Sequence, residues 1–345
     1  MLASNHDLPK IHRMTINLLP AFFCAVFSLT SIIIHAQHVY KITQTFRIVS
    51  PGGWDYIAIN SGRLYVSHGT QVNILDENTG DSIGFIPNTT GVHGIAFDNA
   101  LHKGYTSNGR LNNVTVFDLN TNEILTQIPT GQNPDAILYE PYSKKIITCN
   151  GRSNDLTVID PVKGSVVATI PVRGKPEAAV SDGTGKLYVN IEDKNEIVAV
   201  DTKNFTVTNH WSIAPGQSPT GLALDKSTNR LFSGCEKLLI IVNATNGKLV
   251  DKLPIGDGCD GVAFDNKSKL IFTSNGVGNI TVIEEKGKDK FKIVSTIPTK
   301  RGARTLALDE KQHTLFLPTA DFEAAETQNA RPRMIPGTFQ VLVIH

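Results

Sequence analysis

Seven side chains that carry charge or offer oxygen recur at a regular spacing. The intervals between them are 38, 42, 42, 43, 40 and 44 residues, and they are Asp55, His93, Asp135, Glu177, Thr220, Asp260 and Arg304. Four carboxylates against one arginine give this set a net charge of about −3 when the histidine is neutral. If the fold brings them together, they form an acidic ring with oxygen ligands suited to a hard cation such as Ca²⁺.

Two interpretations of such a ring remain open, a metal-dependent active site and a solvated channel mouth. In the first, Asp135, Glu177 and Asp260 hold a divalent cation, and His93 beside them serves as the base of a metal-dependent hydrolase or lyase. In the second, the ring is a water-filled funnel in which Arg304 neutralises a carboxylate. The sequence contains no GxSxG elbow, phosphate-binding loop, dinucleotide fingerprint or haem-attachment motif. A second polar set follows the ring residues in five of the seven copies, and we expect it to surround the ring: His68, Asn108, Asn150, Asn190, Glu192 and Asn275.

The spacing arises from an internal repeat. GVHGIAFDNALHKGYTSNG (91–109) returns as DGCDGVAFDNKSKLIFTSNG (257–276), and seven copies begin near residues 52, 91, 132, 174, 217, 257 and 301. Within a copy, short β-branched runs alternate with Gly, Asn and Asp, which predicts four strands joined by turns. A repeat of about 42 residues with four antiparallel strands is typical of a β-propeller blade. The sequence therefore predicts an all-β, seven-bladed propeller.

The two ends of the chain predict how the ring closes. The last copy stops at FQVLVIH (339–345), which corresponds to its third strand. Residues 41–49, KITQTFRIV, resemble the fourth strand of the other copies. We expect this N-terminal strand to complete the last blade and thereby remove an open sheet edge.

Strand order also separates two faces. The ring residues open the innermost strands on the variable face, at the mouth of the channel, where binding loops are expected. The aspartates of the opposite face end strands and are expected to shape turns. Residues 320–337 form an unusually long loop on the variable face. With Arg331 and Arg333 it is either a lid over the mouth or an inert flap.

Composition narrows the class of protein. Lys and Arg number 33 against 32 for Asp and Glu, a balance that speaks against nucleic-acid binding. Lys10 and Arg13 precede an apolar segment at 16–34, as in a secretory signal peptide of residues 1–36. A retained membrane anchor is the competing interpretation. After cleavage we expect a single monomeric domain, residues 37–345, in the periplasm, outside the cell or on its surface, with no contact with the membrane.

The cysteines allow three outcomes. Cys235 and Cys259 fall in a loop and a link of adjacent blades, and an exported protein favours a disulfide between them. A soft-metal site with His93 and Cys149 is the second outcome, although no CxxC or HxxxH spacing supports it. Separate buried thiols are the third.

The repeats resemble the YncE-like, YVTN-repeat family of bacterial secreted seven-bladed propellers. The resemblance rests on Leu-Tyr-Val at 64–66 and 187–189, and on GRSNDLTVID and RGARTLALD at 151–160 and 301–309. It implies an exported binding protein and supplies no catalytic residues. The sequence thus predicts a scaffold that binds a small molecule or a protein at its channel mouth; the hydrolase or lyase is the alternative.

Overall fold

The structure, a computed structural model, describes residues 1–2, 39–323 and 333–345. Residues Val39–His345 form one compact unit. Apart from its first two residues, the predicted signal peptide lies outside the described residues. So does Arg331 of the long loop. In the described part of the chain, no helix is long and apolar enough to cross a membrane.

Strands make up nearly all of the regular structure. The first thirteen are β1 (Ile42–Arg47), β2 (Trp54–Asn60), β3 (Arg63–His68), β4 (Gln71–Asp76), β5 (Ser82–Ile86), β6 (Val92–Asp98), β7 (Lys103–Asn108), β8 (Asn113–Asp118), β9 (Ile124–Pro129), β10 (Pro134–Glu140), β11 (Lys145–Asn150), β12 (Asp155–Asp160) and β13 (Ser165–Pro171).

The remaining strands continue the same alternation of strand and turn. They are β14 (Pro176–Ser181), β15 (Lys186–Ile191), β16 (Glu196–Asp201), β17 (Thr206–Ser212), β18 (Leu222–Asp225), β19 (Arg230–Cys235), β20 (Leu238–Asn243), β21 (Leu249–Pro254), β22 (Cys259–Asp265), β23 (Leu270–Asn275), β24 (Asn279–Gly287), β25 (Lys290–Pro298), β26 (Ala307–Asp309), β27 (Thr314–Thr319) and β28 (Gln340–Ile344). One 3-10 turn, Glu192–Lys194, follows β15.

The described strands form seven four-stranded antiparallel sheets. Blades 1 to 6 each take four consecutive strands, starting with β2–β5 and ending with β22–β25. Blade 7 has the order β1-β28-β27-β26, so the N-terminal strand completes it. Ile42 pairs with Ile344, and Arg47 pairs with Gln340. The predicted seven-bladed fold and its closure are confirmed.

Packing between neighbouring blades explains why the strands are apolar on both faces. The buried side chains of the described residues divide into seven clusters, one at each junction between blades. In β3, Leu64 and Val66 face blade 7, whereas Tyr65 between them faces blade 2. A strand residue alternates between faces with a period of two. Every blade is therefore covered on both sides by its neighbours.

The first strand of each blade lies against the first strand of the next, and β26 lies against β2. These inner strands surround the channel and carry the ring residues near their N-terminal ends. Thr305 of blade 7 donates a hydrogen bond of 2.5 Å to the Asp55 carbonyl of blade 1. The Ser274 hydroxyl of blade 6 likewise donates 2.5 Å to the Arg304 carbonyl of blade 7. Such bonds hold the inner strands in a set register at the mouth.

Candidate functional site

A β-bulge at the start of the inner strand presents the ring residues. In blade 1, Trp54 pairs with His68 and Ile57 with Val66, so Asp55 and Tyr56 together oppose Ser67. The pairing of blades 2, 3, 4 and 6 shifts at the equivalent place, beside His93, Asp135, Glu177 and Asp260. Bulges re-aim a side chain at the cost of unpaired backbone groups. In blade 1 the Ser67 hydroxyl accepts from the Asp55 amide at 3.0 Å and donates to the Tyr56 carbonyl at 2.9 Å.

Three ring residues from three consecutive blades meet. His93 Nδ1 lies 2.6 Å from Asp55 Oδ2 and 3.9 Å from Asp135 Oδ2. One ligand atom from each residue fits within 4.8 Å of the other two. Behind the imidazole is Gly109, where a Cβ atom would stand 2.6 Å from His93 Nε2. The absence of a side chain at Gly109 therefore leaves room for the histidine ring.

The protonation of this group follows from burial and neighbouring charges. Burial lowers the pKa of His93, but the hydrogen bond to Asp55 and the charge of Asp135 outweigh it and raise the pKa overall. Burial, with the charge of Asp55, raises the pKa of Asp135 despite the attraction of His93. Of the described residues, none donates a hydrogen bond to the Asp135 carboxylate, although its side chain is only 15% exposed. Asp135 is thus a largely buried acid with too little compensation.

Arg304 holds the other side of the mouth. Its Nη1 donates to Asp260 Oδ2 at 2.5 Å, and its Nη2 lies 3.5 Å from Asp55 Oδ1. Burial raises the pKa of Asp260 to about 6, even with the opposing guanidinium. The arginine therefore neutralises a carboxylate, as the funnel interpretation expects, and at the same time orients Asp55 toward His93.

Glu177 has a cation that the sequence analysis missed. Lys175 Nζ lies 2.7 Å from Glu177 Oε1 and also bonds Glu192. Burial, and then the nearby Asp135, raise the pKa of Glu177 above its usual range. Lys175 therefore compensates Glu177 and Glu192 beside the ring, a contribution that the predicted ring charge of −3 leaves out. The signal was a lysine two residues before a ring carboxylate, on the same side of an extended chain.

The expected trio of metal ligands, Asp135, Glu177 and Asp260, does not come together as one group among the described residues. The three residues whose ligand atoms do lie close together are Asp55, His93 and Asp135, so Asp135 is the one member shared with the expected trio. Glu177 bonds Lys175 and Asp260 bonds Arg304, so both have cationic side chains as partners. Thr220 faces blade 6, where its hydroxyl donates to the Cys259 carbonyl at 2.6 Å.

The asparagines expected around the ring are structural. Asn108, Asn150 and Asn275 are fully buried at the ends of their second strands. In each, Nδ2 donates to a side-chain oxygen at the start of the third strand and to a threonine two residues later. Asn190 donates to two carbonyls of blade 5, at 3.0 Å each. Their donors are used within the fold, so these amides do not line the mouth.

His68 belongs to the closure of the ring. It is fully buried and stacks on Phe339 with ring centroids 4.0 Å apart. Its Nδ1 lies 2.6 Å from Ser50 Oγ, and its Nε2 lies 2.9 Å from the Gly52 carbonyl. The imidazole therefore fastens the chain between β1 and β2, and burial lowers its pKa.

Tyr56 is a second residue that the sequence analysis missed. It starts from blade 1 but packs against the cluster between blades 3 and 4. Its side chain therefore reaches across the channel below the ring. Burial strongly raises the pKa of its phenol, with contributions from Asp135 and Asp55. The sequence does mark Tyr56 by its large side chain, because the equivalent positions hold Gly, Ala or Thr in the other six copies.

The described base of the long loop lies at the rim of the mouth. Phe322 bridges to Met334, and the Ile335 amide donates to the Asp321 carbonyl at 2.8 Å. The Phe322 ring lies 6.1 Å from the Trp54 ring. A cavity of about 380 Å³ opens beside it, lined by three glycines with Cys259, Asp260, Arg301, Arg304 and Phe322. Arg333 is exposed, and the expectation of a lid stays a prediction.

Comparison with known proteins supports the fold and nothing finer. No family model and no curated protein matches this sequence. Among solved structures, hydrazine synthase of Kuenenia stuttgartiensis is similar, with a TM-score of 0.70 and 16% identity over 88% of this chain and 98% of that chain. The WD40 repeats of RRP9 give a TM-score of 0.74 at 9% identity, covering 88% of this chain and 97% of that one. U3-55K gives 0.73 at 9% identity, covering 87% and 97%.

The chain is a seven-bladed, WD40-like β-propeller. At these identities the likeness concerns the fold alone.

The expected disulfide is absent from the structure. Cys235 and Cys259 are free, buried thiols, as is Cys149. Cys235 Sγ lies 3.7 Å from the Ser233 carbonyl, and Cys259 Sγ lies 3.6 Å from the Gly261 carbonyl. Cys149 occupies the place opposite the bulge of blade 3 that Ser67 occupies in blade 1. Burial raises the pKa of all three thiols, which suits packing rather than reactivity.

Proposed function

We propose that the protein is a binding scaffold that takes the cationic group of its ligand at the channel mouth. The observation that carries the proposal is Asp135, a carboxylate that is largely buried and receives no hydrogen bond from the described residues. Its ion-pair partner among the described residues, His93 Nδ1, lies 3.9 Å away and is hydrogen-bonded to Asp55 instead. Burying an ionised carboxylate with so little compensation is costly. A cation bound beside Asp135 removes that cost, so the free energy of the uncompensated charge becomes available for binding.

The wider mouth supports the same proposal. Carboxylates of Asp55, Glu177 and Asp260 surround Asp135, and their own cations, Arg304 and Lys175, are anchored to them rather than to Asp135. The rigid blades hold these groups in place without a ligand. A site prepared in this way loses little ordering entropy when it binds.

The test is a thermal-shift titration of the mature protein with Ca²⁺, Zn²⁺, methylammonium and guanidinium. We expect at least one of these cations to raise the melting temperature, and Asp135→Asn to abolish the rise. Asp182→Asn is the matched control, since Asp182 is a half-buried aspartate in a turn of the opposite face. If no cation stabilises the protein, or if both variants respond alike, the proposal is wrong.

The hydrolase or lyase alternative finds less support at the same residues. A general base at neutral pH needs an unprotonated imidazole. The hydrogen bond from His93 to Asp55 favours the protonated form and raises the pKa of His93. The geometry suits His93 better as a fixed donor than as a base.

We further propose export, which the signal-like segment before residue 37 and the resemblance to the YncE-like, YVTN-repeat family both support. Expression in a Gram-negative bacterium tests it. The mass of the periplasmic protein should correspond to a chain that begins near Gln37. A full-length chain that remains with the membrane would favour the anchor instead.

A further inference from the structure

We propose that Asp55, His93 and Asp135 bind a divalent metal ion of the zinc class. This inference rests on the proposed function, since it names the cation that the mouth takes. It differs from the Ca²⁺ site expected from the sequence in both its ligands and its metal.

The spacing of the ligand atoms suits one small ion. Two ligands about 2.0–2.2 Å from a tetrahedral ion lie about 3.3–3.6 Å apart. The His93 Nδ1 distances of 2.6 Å to Asp55 and 3.9 Å to Asp135 lie on either side of that value. A small displacement of the imidazole away from Asp55 and toward Asp135 would bring both distances near that value. All three ligand atoms already lie within 4.8 Å of one another, so the two carboxylates have only to close in on a bound ion.

The ligand types select the metal. One imidazole nitrogen with two carboxylate oxygens is a set that Zn²⁺ and Co²⁺ accept, whereas Ca²⁺ takes six to eight oxygens. The described residues supply three ligands here, so the remaining positions of the ion are left for water or for part of a larger ligand. This arrangement corresponds to an open metal site.

The residues behind the ligands hold them in place. Arg304 Nη2 faces the Asp55 oxygen that does not face His93, and this leaves Oδ2 for the metal. Gly109 leaves space for the histidine ring, because a Cβ there would come within 2.6 Å of Nε2. The Asp135 carboxylate accepts no hydrogen bond from the described residues that it would have to give up. The bond between His93 and Asp55 has to be exchanged for metal coordination, and the Nδ1 proton that it holds is released to solvent when the ion binds.

The experiment is a Co²⁺ and Zn²⁺ titration of the untagged mature protein, followed by calorimetry and by the visible spectrum of Co²⁺. We expect one ion per chain and a spectrum without thiolate charge transfer. His93→Asn and Asp135→Asn should each weaken binding at least tenfold. Gly109→Ala, which moves the ring without removing a ligand, should weaken binding by a smaller factor. His210→Asn is the matched control, because His210 is an exposed histidine that also pairs with a carboxylate, Glu196, at 3.0 Å.

Several results would overturn the inference. The first is a Zn²⁺ affinity that stays unchanged in His93→Asn and Asp135→Asn, when both variants melt at the wild-type temperature. The second is a thiolate charge-transfer band in the Co²⁺ spectrum, which would place the ion at the cysteines. Binding of Ca²⁺ or an organic cation that needs Asp135 but not His93 would also overturn it, while leaving the proposed function standing. If no cation binds, both proposals fail.

Discussion

Carboxylates on the two faces of the propeller behave in opposite ways. On the turn face, the aspartates that end strands accept hydrogen bonds from backbone amides two or three residues later. Asp76 and Asp118 each receive two such bonds, and these lower the pKa of both carboxyls. At the mouth, burial instead raises the pKa of Asp135 and Asp260. The turn aspartates have their donors within the same turn, whereas no residue in the described part of the chain donates a hydrogen bond to the Asp135 carboxylate.

A buried or half-buried carboxylate can therefore either stabilise the fold or destabilise it, according to the hydrogen bonds that it accepts. The contrast depends on donors rather than on the face itself. Glu77, on the turn face, is nearly buried and lies beside Asp309. Burial, followed by its hydrogen bond with Asp309, raises the pKa of Glu77 to about 7. An acid without enough donors is thus costly on either face.

The largest expected effect comes from breaking a satisfied turn. Asp265 is fully buried and accepts bonds from the Lys267 amide at 2.9 Å, the Ser268 hydroxyl at 2.7 Å and His313. Asp265→Ala leaves these donors unpaired, and we expect it to lower the free energy of unfolding by about 3 kcal/mol. Urea denaturation measures the change. A loss below about 1 kcal/mol would contradict the structural role.

The buried asparagines provide the next test. Asn150 donates to Asp155 at 2.6 Å and to Thr157 at 2.8 Å, and it accepts from Thr148 at 2.9 Å. Asn150→Ala should lower the free energy of unfolding by about 2 kcal/mol. It should leave cation binding at the mouth unchanged when both are measured on the same preparation. Loss of cation binding at an unchanged free energy of unfolding would instead show that Asn150 contributes to the binding site at the mouth.

A pH titration tests the exception on the turn face. The pKa of Glu77 rises from 4.5 to about 7 on folding, so the folded state holds the extra proton between these values. The resulting stabilisation is fully present below about pH 4.5 and is lost as the pH rises through 7. Glu77→Gln should abolish a decrease of about 2 kcal/mol between pH 5 and pH 8. Exposed Glu123→Gln is the control, and equal pH profiles for Glu77→Gln and the wild type would refute the prediction.

The smallest effect has the opposite sign. Because folding raises the pKa of Asp135, ionisation at pH 7 destabilises the folded protein. Asp135→Asn should therefore raise the free energy of unfolding by about 1 kcal/mol in metal-free buffer. Added Zn²⁺ should stabilise the wild type and not the variant. A destabilised Asp135→Asn protein would show that the carboxylate is already compensated.

The positions of the residues at the mouth could be predicted from the sequence, but the hydrogen bonds and ion pairs between them could not. The repeat located every ring position, and five of the seven lie at or beside a bulge of an inner strand. The asparagines were expected at the mouth because a polar residue beside a loop is usually exposed. In the structure their amide groups are buried and donate their hydrogen bonds within the fold. Lys175 and Tyr56 were missed because they lie one or two positions from the aligned residue.

The sequence by itself determined the strand pattern, the number of blades and the closure by the first strand. It does so because period-two runs, turn residues and a repeat of about 42 residues are local features. Only the tertiary structure decided that His93 meets Asp55 and Asp135 while Arg304 goes to Asp260. Neighbouring ring residues are 38 to 44 positions apart in the chain. Their pairing depends on how each bulge turns its side chain and how closely the inner strands pack.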